Sequence, residues 1–238
     1  MEMAKPEAGR RVTYSLPYED KIYGLLYLPN SWTPEKTYPL IVEFPGNIFY
    51  TTGCYSTGRP EQCTIGYGMS KGENAIWLSL PFVADNGVEI AESGWGNPEH
   101  TADFAYRLVK RVCKEFNADE EKIVLTGFSR GAIACGFIGL RNDSIASLWK
   151  GIHACQHFDG DGWGKTKMDD ALERLKRAKH IPQFHTDNNN QQPKRMFQDN
   201  GIDVVFENSG LGAHACAMFL DDRESTVKLR EWFNKLLK

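Results

Sequence analysis

Ser129 stands in the run Lys122-Ile123-Val124-Leu125-Thr126-Gly127-Phe128-Ser129-Arg130-Gly131, with a glycine two residues away on either side. A serine in that setting is a candidate nucleophile where the chain turns sharply enough to expose its hydroxyl. The hydroxyl attacks poorly at neutral pH unless a base touches it and a carboxylate orients the base. Of the 6 histidines, His153, His157, His180, His185 and His214 follow Ser129. A second chemistry is also open to part of this set. His153, His157 and Asp159 would share one face of a period-2 strand, with Asp161 close behind, as metal ligands do. Asp159-Gly160-Asp161-Gly162 lacks the remaining ligands of a calcium loop, and serine chemistry needs no metal. The expectation is therefore no metal and no cofactor. Gly94-Trp95-Gly96 and Gly162-Trp163-Gly164 fall in predicted loops, where flanking glycines let an indole stand exposed. With Tyr50 and Tyr55 they make an expected aromatic rim suited to a sugar ring or an aromatic acyl group, loop packing being the alternative for either tryptophan.

Such a serine needs a strand that ends abruptly and a helix that begins at once. Ile123, Val124 and Leu125 form the apolar run of a strand buried on both faces, and Ala132 to Leu140 offers small and apolar residues for a helix beneath the sheet. Glycines at 127 and 131 remove the bulk that would keep the turn from closing. Upstream, Val12 to Leu16 and Lys21 to Leu28 read as an antiparallel edge hairpin. Pro39 to Phe44 is an apolar strand ending in Pro45-Gly46-Asn47, and Ile48 to Gly72 reads as one long loop. Ala75 to Leu80 is a further buried strand. Asn97 caps a helix with Pro98 at its first position, and Phe104, Leu108, Val112 and Phe116 recur on one of its faces. Later strands are predicted at 151–158, 181–186 and 202–206, with helices at 168–179 and 190–200. Leu229, Trp232, Phe233, Leu236 and Leu237 mark a last amphipathic helix. This alternation predicts a mostly parallel, doubly wound α/β sheet in a single domain over 1–238, which places ligands outside the carboxyl ends of the strands.

The segment from Asp119 through Glu120-Glu121-Lys122 to Gly131 resembles the nucleophile-elbow region of α/β-hydrolase fold serine esterases. It is most similar to the group of feruloyl esterases, acetylxylan esterases and polyhydroxyalkanoate depolymerases, and the element order agrees over nearly the whole chain. The resemblance implies an α/β-hydrolase fold with an N-terminal antiparallel hairpin and no large cap domain. It also implies the chain order nucleophile, acid, histidine. Under it Ser129 is the nucleophile, and His214, beyond the last strand in the loop Gly210-Leu211-Gly212-Ala213-His214, is the base. Asp187 sits directly after the penultimate strand, where the family carries its acid, the family's His-Gly-x-x-Asp run being shortened here to His185-Thr186-Asp187. Asp159, after the preceding strand, is the alternative acid. The N–H groups of Arg130 and of Gly46 or Asn47 form the implied oxyanion hole. The Arg130 side chain is expected to point toward the site, meeting either a substrate anion or a carboxylate. The implied activity is carboxylic-ester hydrolysis through an acyl-enzyme, with acetyl or feruloyl esters of carbohydrates preferred. A small-ester or lactone hydrolase, a serine peptidase and a catalytically silent binding module on the same scaffold are the alternatives.

Composition narrows the partners. A net charge of -3 over 238 residues gives no long-range attraction for nucleic acid or an anionic membrane. No apolar run approaches the roughly 20 residues a bilayer span requires. Met1 to Arg11 is charged and lacks the apolar core of a signal peptide. A soluble protein acting on a small-molecule or glycan ester is expected. A secreted or periplasmic chain with its signal removed reads the same way, so compartment and oligomeric state stay open. Cys113, Cys135 and Cys155 fall on predicted core elements, whereas Cys54 and Cys63 share the long loop and would pair in an oxidising compartment.

Overall fold

Strands and helices alternate from Arg11 to Leu236 in a computed structural model, which describes residues 5–51, 54–211, 214 and 219–238. In chain order they are β1 (Arg11–Tyr14), β2 (Gly24–Tyr27), β3 (Tyr38–Phe44), β4 (Ile48–Thr51), β5 (Cys54–Thr57), α1 (Ile65–Ser70), β6 (Ile76–Ser79) and α2 (Pro98–Phe116). Then come β7 (Ala118–Phe128), α3 (Arg130–Phe137), α4 (Asp143–Ala146), β8 (Gly151–Cys155) and α5 (Met168–Leu175). The chain closes with β9 (Gln183–Thr186), α6 (Gln191–Asp199), β10 (Val204–Glu207) and α7 (Glu224–Leu236). Among the described residues eight strands form one sheet in the order β1-β2-β6-β3-β7-β8-β9-β10. The run from β6 to β10 is parallel, while β1 pairs with β2 and β2 with β6 antiparallel, so the N-terminal hairpin is the edge.

Period-2 alternation divides the apolar residues between two faces. Leu40, Val42 and Phe44 of β3, with Ile123 and Leu125 of β7, join one core with Leu108 and Val112 of α2, Ile133 of α3, Leu175 of α5 and Phe197 of α6. Ile41 and Val124 point the other way and meet Ile65 and Met69 of α1 with Leu229 and Phe233 of α7. Burial on both faces explains the continuous apolar runs of β3 and β7, and it is the doubly wound layering expected from the sequence. The Asn97 side chain accepts from the N–H groups of Glu99 and His100, with Pro98 following, so α2 starts as predicted.

The region 48–72 is not one loop. It holds the β4–β5 hairpin, paired Ile48↔Thr57 through Thr51↔Cys54, and then α1. Glu43, buried at the end of β3, accepts from the N–H groups of Thr64, Ile65 and Gly66 and from Trp77 Nε1, so a strand carboxylate satisfies the open end of α1. Cys63 is a free, buried thiol, and the side chain of Cys54, its expected partner, lies outside the described residues. Cys113, Cys135 and Cys155 are likewise buried. No helix among the described residues is long and apolar enough to cross a membrane.

Candidate active site

The turn at Ser129 is as tight as its glycines suggested. Ser129 adopts φ 55° and ψ -117°, a strained backbone for a residue with a side chain, between the end of β7 and the first residue of α3. A Cβ on Gly127 would lie 2.3 Å from the Gly131 backbone, and one on Gly131 would lie 2.1 Å from the Phe44 carbonyl oxygen. Neither position admits a side chain without moving β3 or α3. The Arg130 N–H, in the first turn of α3, has no intrahelical acceptor and stands where the helix end favours negative charge.

His214 Nε2 lies 2.9 Å from Ser129 Oγ. Its ring packs against Phe128 at 4.7 Å and Phe49 at 5.1 Å between centres, with His157 at 5.7 Å. Partial burial first, and the neighbouring His157 second, hold the His214 pKa below its ordinary value. The imidazole is thus neutral near pH 7 and able to take a proton. Asn47, Ile48, Phe49, Ser129, His157, Trp163 and His214 line one cavity of about 260 Å³.

Asp187 directly follows β9 in a left-handed conformation (φ 64°). Its Oδ1 accepts from the Ser209 N–H at 2.7 Å and its Oδ2 from Gln156 Nε2 at 3.3 Å. Asp187 therefore sits against the chain that leads into the His214 loop, although no hydrogen bond joins it to His214 among the described residues. Asp159 is engaged elsewhere. Its two oxygens accept from Arg174 Nε at 2.7 Å and Nη2 at 2.9 Å in a buried bidentate pair. Burial raises the Asp159 pKa while Arg174 opposes the rise.

Arg130 does not point toward the site. Its side chain is fully buried over the Phe82 ring, 4.1 Å from guanidinium carbon to ring centre, and donates to the carbonyls of Gly46, Gly58 and Gly94. It meets neither a substrate anion nor a carboxylate. Burial lowers its pKa to about 9, so it stays cationic at neutral pH and ties three loops together. Asn47 Oδ1 accepts from the Gly94 N–H, joining the loop after β3 to the same structure.

The aromatic rim differs from expectation. Trp95 is 9% exposed and donates its indole N–H to the Arg130 carbonyl, so it packs rather than faces a ligand. Trp163, 38% exposed, stands edge-on to Trp95 at 5.4 Å and lines the cavity. Tyr50 is 61% exposed and not among the described residues that line the cavity. Tyr55 pairs with Tyr50 in register, and its side chain lies outside the described residues. Phe49, Ile48 and His157 are the lining residues that the sequence did not assign to substrate. The signal available for His157 was its place just beyond the carboxyl end of β8.

The candidate metal ligands His153, His157 and Asp159 do not share one strand face. β8 ends at Cys155, so His157 and Asp159 leave the strand that carries His153. His153 is buried with both ring nitrogens on hydroxyls, Nδ1 on Thr126 Oγ1 at 2.8 Å and Nε2 on Thr186 Oγ1 at 3.1 Å. His157 Nδ1 meets Asp161 Oδ2 at 2.5 Å. Among the described residues no three His, Cys, Asp or Glu side chains converge as a metal site.

No protein-family model matches the chain, and no curated protein matches it in sequence. Solved structures do. A fungal esterase from Rhizomucor miehei superposes with TM-score 0.64 at 11% identity, over 99% of this chain and 85% of the other. A ferulic acid esterase does so with TM-score 0.63 at 13% identity, over 96% and 98%. A thermostable esterase gives TM-score 0.58 at 16% identity over 95% of this chain, which spans 62% of the length of that protein. At such identities the likeness establishes the fold alone, and the fold is that of the α/β-hydrolases.

Proposed function

We propose that the chain is a serine carboxylic-ester hydrolase in which Ser129 attacks the ester carbonyl and His214 takes its proton and passes it to the leaving alcohol. The observation that carries this reading is the 2.9 Å contact between His214 Nε2 and Ser129 Oγ in a strained strand-to-helix turn. The Arg130 N–H and that of Gly46 or Asn47 are the donors for the oxyanion. Water then releases the acyl group through the same base. Asp187 is the proposed orienting acid. It stands beside the segment bearing His214, and catalytic hydrogen bonds often close only once substrate is bound. The esterase names of the structural neighbours point the same way.

An acyl ester of a carbohydrate is the proposed substrate, on the strength of the exposed Trp163 indole, Phe49 and a lining that, among the described residues, is free of Lys, Arg, Asp and Glu. Turnover of a p-nitrophenyl acetate series tests the chemistry. Ser129→Ala should lower kcat by at least about a thousandfold, as removal of a serine nucleophile does. Equal rates for the two proteins would sink the serine mechanism.

A further inference from the structure

We infer that His157, held by Asp161, is the specificity-determining group for the alcohol portion of the ester, donating to or accepting from a hydroxyl there while Trp163 covers the adjacent carbon skeleton. The inference rests on the serine-esterase reading of the same site.

Asp161 uses both carboxylate oxygens to build this corner. Oδ2 meets His157 Nδ1 at 2.5 Å, and Oδ1 accepts from the Trp163 N–H at 2.9 Å, so one side chain fixes the imidazole and the start of the tryptophan turn together. The His157 carbonyl is fixed as well, accepting from Asn188 Nδ2 at 2.8 Å. With Nδ1 committed to a carboxylate, Nε2 is the ring atom left for a ligand. No hydrogen bond of the described residues engages it, and the ring lines the cavity with Ser129, His214 and Trp163. Its centre lies 5.7 Å from that of His214 and 6.3 Å from that of Trp163.

Position decides which half of the ester His157 meets. The base must hand its proton to the leaving oxygen, so groups around His214 face the alcohol and not the oxyanion. Charge decides the class of group recognised. A carboxylate stands beside His157, no Lys or Arg is among the described residues that line the cavity, and the Arg130 guanidinium is spent on three carbonyls. A substrate anion would find no net positive partner there. A hydroxyl suits an imidazole in either protonation state, because it donates to a bare nitrogen and accepts from an N–H. A buried site built around a hydroxyl also rejects the analogue that lacks it.

Glyceryl 1-acetate and n-propyl acetate share the acyl group and the three-carbon alcohol and differ only in hydroxyls. The ratio of their kcat/KM values reads the subsite, with rates referred to the Ser129 sites titrated by a fluorophosphonate. Wild type should favour the glyceryl ester. His157→Phe should lower the ratio about tenfold, the value of one hydrogen bond, with the change in KM. His157→Gln should recover part of the ratio, and Asp161→Asn should lower it by releasing the ring. A ratio untouched in His157→Phe, including an equal fall on both esters, overturns the subsite while leaving the esterase intact. Failure of wild type to turn over either ester or to take up the fluorophosphonate overturns the esterase reading, and the subsite with it.

Discussion

His214 reaches Ser129 through Nε2, which leaves Nδ1 as the atom an orienting carboxylate has to meet. Asp187 is free to serve because its present partners are one backbone N–H and one side-chain amide, whereas Asp159 is spent on Arg174. Asp187→Asn should therefore leave the fold intact and lower kcat by up to about ten-thousandfold by favouring the wrong tautomer. Asp159→Asn should act mainly on stability, costing roughly 3 kcal/mol by stranding the buried Arg174 charge. Steady-state kinetics and thermal denaturation of both variants separate the two. An active Asp187→Asn beside a folded, inactive Asp159→Asn would move the acid to the earlier strand. The pairing of Ser129 with His214 was legible because a glycine-flanked turn marks the one and place in the chain order marks the other. The partnership of His157 with Asp161 was visible only as a spacing. Whether those side chains meet a metal, a substrate or each other depends on where β8 ends, and no residue type at that point states it.

At the scale of elements, the sequence disclosed those that fold on their own pattern and missed those built by another element. The β3 and β7 runs and the Asn97-Pro98 start of α2 carry their signals locally. α1 does not: its sequence, Ile65-Gly66-Tyr67-Gly68-Met69-Ser70, contains two poor helix formers, and the helix is secured by the Glu43 carboxylate reaching its N-terminus from β3. Arg130 is the same kind of case, since an arginine beside a nucleophile reads as a ligand for charge and proves to be a staple for the loops carrying Gly46, Gly58 and Gly94. Removing it should loosen the loop after β3 that carries Gly46 and Asn47, the proposed second oxyanion donors. Arg130→Met leaves three carbonyls short of a donor, at a cost of about 3 kcal/mol. For a domain of this size that is a fall in Tm of roughly 6–12 °C. Activity per fluorophosphonate-reactive serine should fall as well. A melting point equal to that of wild type would show that the three carbonyls find other donors and that the staple is dispensable.

For the molecule as a whole, the two core histidines set how stability responds to acid. His153 bridges Thr126 of β7 and Thr186 of β9 from its place on β8, and His185 is held by Gln183 through Nε2 and by the Asn188 amide at Nδ1. Protonating His185 would set a new N–H against the Asn188 amide donor. Burial pushes both pKa values down from 6.5 to about 3, so both rings stay neutral in the folded chain while the unfolded chain protonates them. The unfolded state then binds more protons throughout this window, and stability is lost as pH falls below about 6.5. Each ring contributes a loss of about 1.4 kcal/mol per pH unit. Glu43 and Asp159, whose carboxyl pKa values burial raises, act in the opposite sense and blur the slope of the wild-type curve. The difference between wild type and His153→Gln removes them. Glutamine keeps a donor and an acceptor for the two threonines and takes up no proton, so its stability relative to wild type should improve by about 2 kcal/mol between pH 6.5 and pH 5. Urea denaturation of the two proteins at a series of pH values measures that difference directly. A gap that stays constant across the window would mean that His153 titrates alike in the folded and unfolded chains, contrary to its burial between β7 and β9.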